Sequence, residues 1–262
     1  MSFTGLSIDK YKGFKANYHT HTPRCNHANG SEREYVEEAI KNGFKVLGFS
    51  DHGPHIYDED FVSKVRMKPE ELEGYCRVVG DLASEYKDDI KILTGLEMEY
   101  YPPRFDDDMM FIEQFPLDYM ILGQHWYYDE PYTPYTGNVT DDPGMLKGYI
   151  NVVLEGIDTG LFTYVAHPDL IHYVGDMSIY DSEMPRLAKS LAAHGMPCEV
   201  NVNGYREKIQ YPNPRFMKMA AEAGCEFILG VDAHNPCELS DLENYDACRQ
   251  LVLNVGGKLI NL

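Results

Sequence analysis

Short apolar runs alternate along this chain with longer amphipathic stretches, and almost every apolar run ends in His, Asp or Glu. Such alternation predicts parallel strands joined by helices. Seven runs read as strands: residues 16–21, 46–50, 90–97, 119–123, 164–166, 197–201 and 226–231. An eighth run, Lys258–Asn261, is readable as an extra strand or a tail. Seven strands are too few for a regular eight-fold barrel. The expectation is therefore an α/β fold in the form of a distorted seven-stranded barrel, with an open doubly wound sheet as the alternative. A length of 262 residues suits one such domain, residues 1–262, and no Gly/Ser-rich linker divides it.

Helix boundaries are written in places. Ser31 and Glu34 have capping-box spacing, and Gly43 marks the stop of that helix. Asp142-Pro143 opens a helix that Gly160 closes, and Asn213-Pro214 opens one that ends near Gly224. Ser240 and Glu243 repeat the capping-box spacing before a last helix that stops by Gly256.

The residues at the predicted strand ends carry the chemistry. They are His19-Thr20-His21, Ser50-Asp51-His52, Glu97, Gln124-His125, His167-Pro168, the segment from Asn201 to Arg206, and Asp232-Ala233-His234. Of ten histidines in the chain, six lie at these ends and His27 follows the first closely. In β/α barrels the active site is built from several strand ends on one face. Imidazole and carboxylate suit zinc, iron and manganese. Residues two apart on a strand share a side, so His19 and His21 can face one ion, as can Asp232 and His234. Glu97 can bridge two cations. A lone strand-end histidine is more often a hydrogen-bonded structural residue, and that reading is kept for His55, His172 and His194, with His172 also able to reach the site from its loop. Cys25, two residues before His27, is a further ligand candidate, and Asp51 a candidate to orient a neighbouring ligand.

Composition narrows the partners. A net charge of −19 repels nucleic-acid backbones and anionic membranes. The first residues, MSFTGLSIDKYKGFK, lack the apolar core of a signal peptide, and none of the six cysteines forms a close CxxC pair. A cytoplasmic protein with free thiols is expected.

The motifs HTHTPRCNH, FSDH, GLEMEY, GQH, AHP and GVDAH, spread over residues 17–235, together resemble the polymerase-and-histidinol-phosphatase (PHP) superfamily. The resemblance implies a distorted seven-stranded barrel and a trinuclear site for divalent ions such as zinc, iron or manganese. It implies one ion on His19, His21, Glu97 and Asp232, a second on Glu97, His125 and His167, and a third on His27, His52 and His234. Each of these positions holds the expected residue type. The segment EVNVNGYR, residues 199–206, is similar to a region of the histidinol-phosphatase branch whose arginine binds substrate phosphate, which implies that role for Arg206. Departures from that branch are Gln124, where Ser is frequent, and His172 as the nearest candidate for a basic residue after HPDL.

The implied reaction is hydrolysis of a small phosphate monoester, L-histidinol phosphate first, with no nucleic-acid or membrane partner. Asp232, with His234 second, is the candidate to guide a proton to the leaving oxygen. Trp126, Tyr127 and Tyr128 are candidates to wall the pocket, and Arg104 a candidate second phosphate contact. The rival readings are a sister phosphoesterase acting on another small ester or nucleotide, a metal-dependent amidohydrolase and a non-enzymatic metal-binding module. The amidohydrolases often use a bridging carboxylated lysine, and no strand-end Lys stands here.

Overall fold

The computed structural model describes residues 9–10, 13–57, 61–130 and 132–262. Eight strands form one parallel ladder in chain order: β2 (Lys15–Asn17), β3 (Phe44–His52), β4 (Lys91–Met98), β5 (Tyr119–Leu122), β6 (Tyr164–Val165), β7 (Cys198–Asn201), β8 (Glu226–Gly230) and β9 (Lys258–Asn261). A short β1 (Asp9–Lys10) pairs antiparallel with β9. The helices are α1 (Glu32–Lys41), α2 (Leu72–Glu85), α3 (Phe105–Ile112), α4 (Pro143–Asp158), α5 (Met177–His194), α6 (Val202–Glu207), α7 (Pro214–Ala223) and α8 (Leu242–Asn254). The Lys258–Asn261 run is thus a strand, and the parallel ladder has eight strands rather than seven.

The ladder is not closed between β9 and β2. It is curled, however: among the described residues its inner apolar cluster contains no helix residue. One apolar cluster joins the outer strand residues to the helices, whereas a second contains Ala16, Tyr18, Val46, Leu93, Tyr119, Ile121, Tyr164, Ala166, Ile228, Ile260 and Leu262. A parallel sheet must cover both faces, and here the inner face is covered by itself. Beyond the ends of β2 and β8 a single parallel bridge, Thr20–Ala233, draws the two margins together, with His21 N donating to Ala233 O at 2.9 Å. At the other end the hydroxyl of Tyr18 meets the Leu262 backbone, 2.9 Å from its oxygen and 3.0 Å from its nitrogen.

Strand alternation explains where the ladder breaks. Ala16 and Tyr18 face inward, so an unbroken strand over residues 16–21 would turn His19 and His21 outward. Instead β2 ends at Asn17, whose side chain holds a kink: its Nδ2 donates to His19 O at 3.0 Å and Thr20 Oγ1 at 2.7 Å, and its Oδ1 accepts from Val231 N at 2.8 Å. The kink turns both histidines back to the inside.

Cap signals place α1, α4 and α7 as read from the sequence: Ser31 with Glu34 forms a capping box, and Asp142 and Asn213 accept from Gly144 N and Arg215 N. For α8 the cap is Asp241, not Ser240, which lies in a preceding 3-10 turn. Among the described residues no helix is long and apolar enough to cross a membrane.

Tyr119 fills the middle of the curl, donating to Tyr18 O at 2.6 Å. It fits because β3 and β4 present glycine to it. A Cβ on Gly95 would lie 2.4 Å from its ring, and one on Gly48 2.2 Å from its oxygen. Gly95→Ala is expected to lower stability by about 1–3 kcal/mol through overpacking. Gly80→Ala, on the exposed face of α2 with nothing within 4 Å, should raise it by roughly 0.5–1 kcal/mol. Urea denaturation of both variants checks the pair.

Candidate metal centre

Alternation along each strand puts one residue type after another at the inner, C-terminal rim. Glu97 follows Leu93 and Gly95 on the inner face of β4, in register with His52 of β3. Asp232 follows Ile228 and Gly230 beyond β8, and Glu199 precedes Asn201 on β7. Two glycines make room for the carboxylates. A Cβ on Gly123 would lie 1.9 Å from Glu97 Oε1, and one on Gly230 1.7 Å from Glu199 Oε1.

Glu97 is 1% exposed and is ringed by imidazoles. His167 Nε2 lies 2.9 Å from its Oε1 and His125 Nε2 3.7 Å; His52 Nδ1, His19 Nε2 and His21 Nε2 lie 3.1, 3.4 and 3.6 Å from its Oε2. Asp232 Oδ1 lies 3.0 Å from His21 Nε2 and 3.5 Å from both His19 Nε2 and His234 Nδ1. His27 and His234 meet at the mouth, Nε2 to Nε2, at 3.1 Å.

Ligand atoms within 4.8 Å of one another form overlapping sets. His27, His52 and His234 make one, and His19, His21 and Glu97 another. His52 joins Glu97 and His125, while His167 joins His19 and Asp232. All nine positions singled out in the sequence therefore converge, with the His167 ring centroid 5.0 Å from that of His125 and 5.7 Å from that of His19. Cys25 Sγ falls within the same distance of His21 and His234. Its thiol is buried, and burial pushes its pKa up.

Behind the rim a layer of acceptors fixes the rings. Nδ1 of His19 lies 2.8 Å from Glu199 Oε1, that of His21 3.3 Å from Asp51 Oδ1 and that of His125 2.8 Å from Glu99 Oε1. His27 and His234 use the carbonyls of Cys25 and Asp232, at 2.7 and 3.1 Å. A carboxylate or carbonyl on Nδ1 requires the proton there, which leaves the Nε2 lone pair facing the pocket. Glu199 also accepts from His167 N at 3.0 Å. Glu99 is clasped by Arg66 at 2.8 and 3.0 Å. Glu99 and Glu199 were missed in the sequence. Their signal was period two: each lies two residues from an inward-facing rim residue, Glu97 or Asn201.

The electrostatics ask for a cation. Burial disfavours protonation of His19 and His21, but the surrounding carboxylates outweigh it and push His19 up strongly and His21 up to about 9. Burial likewise opposes charge on Glu97 and Asp232, yet the histidines hold both well below the usual carboxylate range. In the outer set burial prevails: His27 and His52 are pushed down, and His234, facing His21 as well, falls to about 3. Neutral imidazoles at the mouth thus flank a floor whose ionised carboxylates favour positive charge beside them. Among the described residues, His19 Nε2, His21 Nε2 and Glu97 Oε2 are buried without a well-formed hydrogen bond, a state that is costly unless something else satisfies them. Imidazole nitrogens and carboxylate oxygens converging in this way fit divalent transition metals. His167 and Asp232 both have left-handed backbone, φ 28° and 53°, a conformation unusual for non-glycine residues.

The rim opens into a cavity of about 460 Å³. Its other walls are Trp126, Tyr135, Tyr211, Val65 and Asn203. Trp126 lines the cavity. Tyr127 packs against the core and Tyr128 is exposed. Arg206 lies one residue back from the lining, with Nη2 donating to Asn203 Oδ1 at 2.5 Å and Glu238 Oε1 at 2.8 Å. His172 is not on the lining; its backbone is paired with Thr136 and Thr140. Arg104 is also away from it, bonded to Asp129 and Ile56. Gln124 bridges the loops after β4 and β5, accepting from Tyr100 N at 2.9 Å. His55 is locked between Asp108 and Glu99, and His194 caps α5 from the surface.

A family model described as the PHP domain matches residues 17–203. A probable histidinol-phosphatase of Deinococcus radiodurans is 30% identical over 250 residues, covering 92% of this chain and 94% of that protein. The histidinol-phosphatase of Bacillus subtilis is 34% identical over 118 residues, 43% of this chain and 44% of that protein. Among solved structures, histidinol phosphate phosphatase of Lactococcus lactis, complexed with zinc, L-histidinol and phosphate, superposes with a TM-score of 0.74 at 21% identity, covering 94% of this chain and 95% of that one.

Glu199→Gln keeps the shape behind His19 but removes the anion that holds its Nδ1 proton. It is expected to weaken zinc binding about 10–100-fold while the fold persists, as read by competition titration against a chromophoric chelator alongside circular dichroism.

Proposed function

The chain belongs to the PHP domain family, and on that premise we propose that it is a metal-dependent phosphatase that converts L-histidinol phosphate to L-histidinol and phosphate. The observation that carries this reading is the cavity itself, with its floor of carboxylates and imidazoles and its aromatic wall. The full-length similarity to a probable histidinol-phosphatase supports the substrate. We read the fold as the family's distorted barrel in a single domain, with β2–β8 as its seven site-bearing strands and β9 filling the gap between β8 and β2. Its six cysteines are free, which supports a cytoplasmic setting.

The ligands would be His19, His21, Glu97 and Asp232 for one ion, Glu97, His125 and His167 for a second, and His27, His52 and His234 for a third, each ion zinc, iron or manganese. Bound there, the ions supply Lewis-acid stabilisation of the phosphoryl group and a water that ionises near neutral pH. Glu97 lies at the centre, with one oxygen toward His167 and the other toward His52, so it can serve two ions. Asp232 is held ionised by His19 and His21. It can accept a proton from the attacking water and pass it to the leaving alkoxide, and the neutral His234 beside it is the alternative carrier. Asn201 and Asn203 donate to Asp232 Oδ2 at 3.2 and 3.4 Å and fix its orientation. Arg206 supplies positive charge behind Asn203 and balances the bound phosphate from there. Trp126, with Tyr135 and Tyr211, excludes water from the organic part of the ester.

Protein reconstituted separately with manganese, zinc or iron should release phosphate from L-histidinol phosphate in strong preference to a panel of other monoesters and diesters. Strong preference for another ester would move the substrate, and no release from any would reject the phosphatase reading. Arg206→Ala should raise KM about two- to fivefold, as for a nearby charge without direct contact, with bound metal per chain unchanged. Equal KM and kcat would remove Arg206 from the site.

A further inference from the structure

Arg66 is the largest fully buried side chain of the described residues, and no step of the reaction uses it. It comes from the connection after β3 and reaches between two strand ends. One side of its guanidinium grips Glu99, Nη1 to Oε2 at 2.8 Å and Nη2 to Oε1 at 3.0 Å. Glu99 Oε1 in turn lies 2.8 Å from His125 Nδ1. The other side, through Nε, donates to Glu130 Oε2 at 2.9 Å. Glu130 ends the segment that begins with Trp126, and it also accepts from Tyr57 Oη and Ser63 Oγ, both at 2.8 Å. The guanidinium carbon stands 5.9 Å from the Trp126 ring centroid. The next residue, Met67, donates its N–H to His52 O at 3.2 Å.

We propose that Arg66 is a positioning residue that locks the His125 imidazole and the Trp126 wall into one unit. The proposal deepens the phosphatase reading and rests on it for the role of His125. His125 and Trp126 are adjacent in the chain, yet they serve opposite halves of the cavity, one the ions and the other the organic part of the ester. Arg66 holds the first through Glu99 and the second by its guanidinium beside the ring, with Glu130, four residues on from Trp126, fixing its Nε. A planar fork is required, because three carboxylate oxygens on two sides must be reached at once. A lysine ammonium is a point charge and cannot span them. The buried cation is fully paired, which makes its geometry rigid as well as neutralised. A change at either half of the cavity is thereby felt at the other.

Trp126 is the chain's one tryptophan, so its emission reports the wall without any assay of turnover. Zinc titration and Trp126 fluorescence should be measured on the whole protein as wild type, Arg66→Lys, Glu99→Gln and Glu130→Gln. Arg66→Lys is expected to weaken zinc binding about tenfold or more and to red-shift Trp126 emission. Glu130→Gln should red-shift the emission and raise KM for the ester while zinc affinity stays near wild type. Glu99→Gln should weaken zinc. Arg66→Lys that lowers only thermal stability, or moves only one of the two readouts, overturns the proposal. If that variant does not fold, Glu99→Gln with unchanged zinc affinity, or Glu130→Gln with unchanged emission, overturns it equally. A wild type that binds zinc but releases no phosphate would reject the phosphatase reading, and the zinc and emission comparisons would still decide the role of Arg66.

Discussion

A carboxylate at the centre of the curled sheet, Glu97, is the constraint on which the rest of the site depends. An ionised carboxylate removed from water is costly unless opposite charge and hydrogen bonds surround it. Here five imidazoles converge on it from the ends of β2, β3, β5 and β6 and the segments that follow them. They can do so only because the sheet curls until distant strand ends meet, and because Gly123 leaves the carboxylate its place on the neighbouring strand. Geometry and charge are therefore one problem. A flat sheet would separate the imidazoles, and a side chain at Gly123 would displace the group they surround.

Each layer outward from Glu97 has a narrower task. His19, His21 and His125 present Nε2 inward because carboxylates behind them hold the other nitrogen. Those acceptors are themselves held: Glu199 by the His167 backbone N–H and Asn201, Glu99 by Arg66, and Asp51 by Thr22 and the His52 backbone N–H. At His167 and Asp232 the backbone takes up left-handed angles where the strands give way to loops. The surrounding hydrogen bonds over-determine both positions, as strained functional residues require. The inward turn of His19 and His21 has the same character, since Asn17 gives up strand geometry to produce it.

Strand-end chemistry was legible in the sequence because period-two alternation carries it. Once residues 90–97 read as a strand ending at Glu97, its partners at the other ends followed from the rhythm of the chain. The kink after β2 was not legible, since HTH reads as ordinary alternation until the inward facing of Ala16 and Tyr18 is known. Glu199 on β7 and Glu99 just past β4 are not legible because a carboxylate at a strand end looks the same whether it binds an ion or braces a ligand. Arg206 shows the opposite limit: its motif was plain, but the sequence could not tell that Asn203 stands between it and the cavity. His172 and Arg104 were placed near the site by their loops, and those loops are held elsewhere by backbone pairing and by Asp129.

The division of the cavity orients whatever enters it. Its floor holds the carboxylates of Glu97 and Asp232 among imidazoles, and divalent cations bound there would add the positive charge that attracts a phosphate. Its wall of Trp126, Tyr135 and Tyr211 gains by covering an apolar or planar group and has little to offer a phosphate. A phosphomonoester can satisfy both halves in one direction only, with the phosphoryl group down and the organic group against the rings. Orientation would thus be selected before any bond changes, with bound ions serving both the chemistry and the attraction of the phosphoryl group.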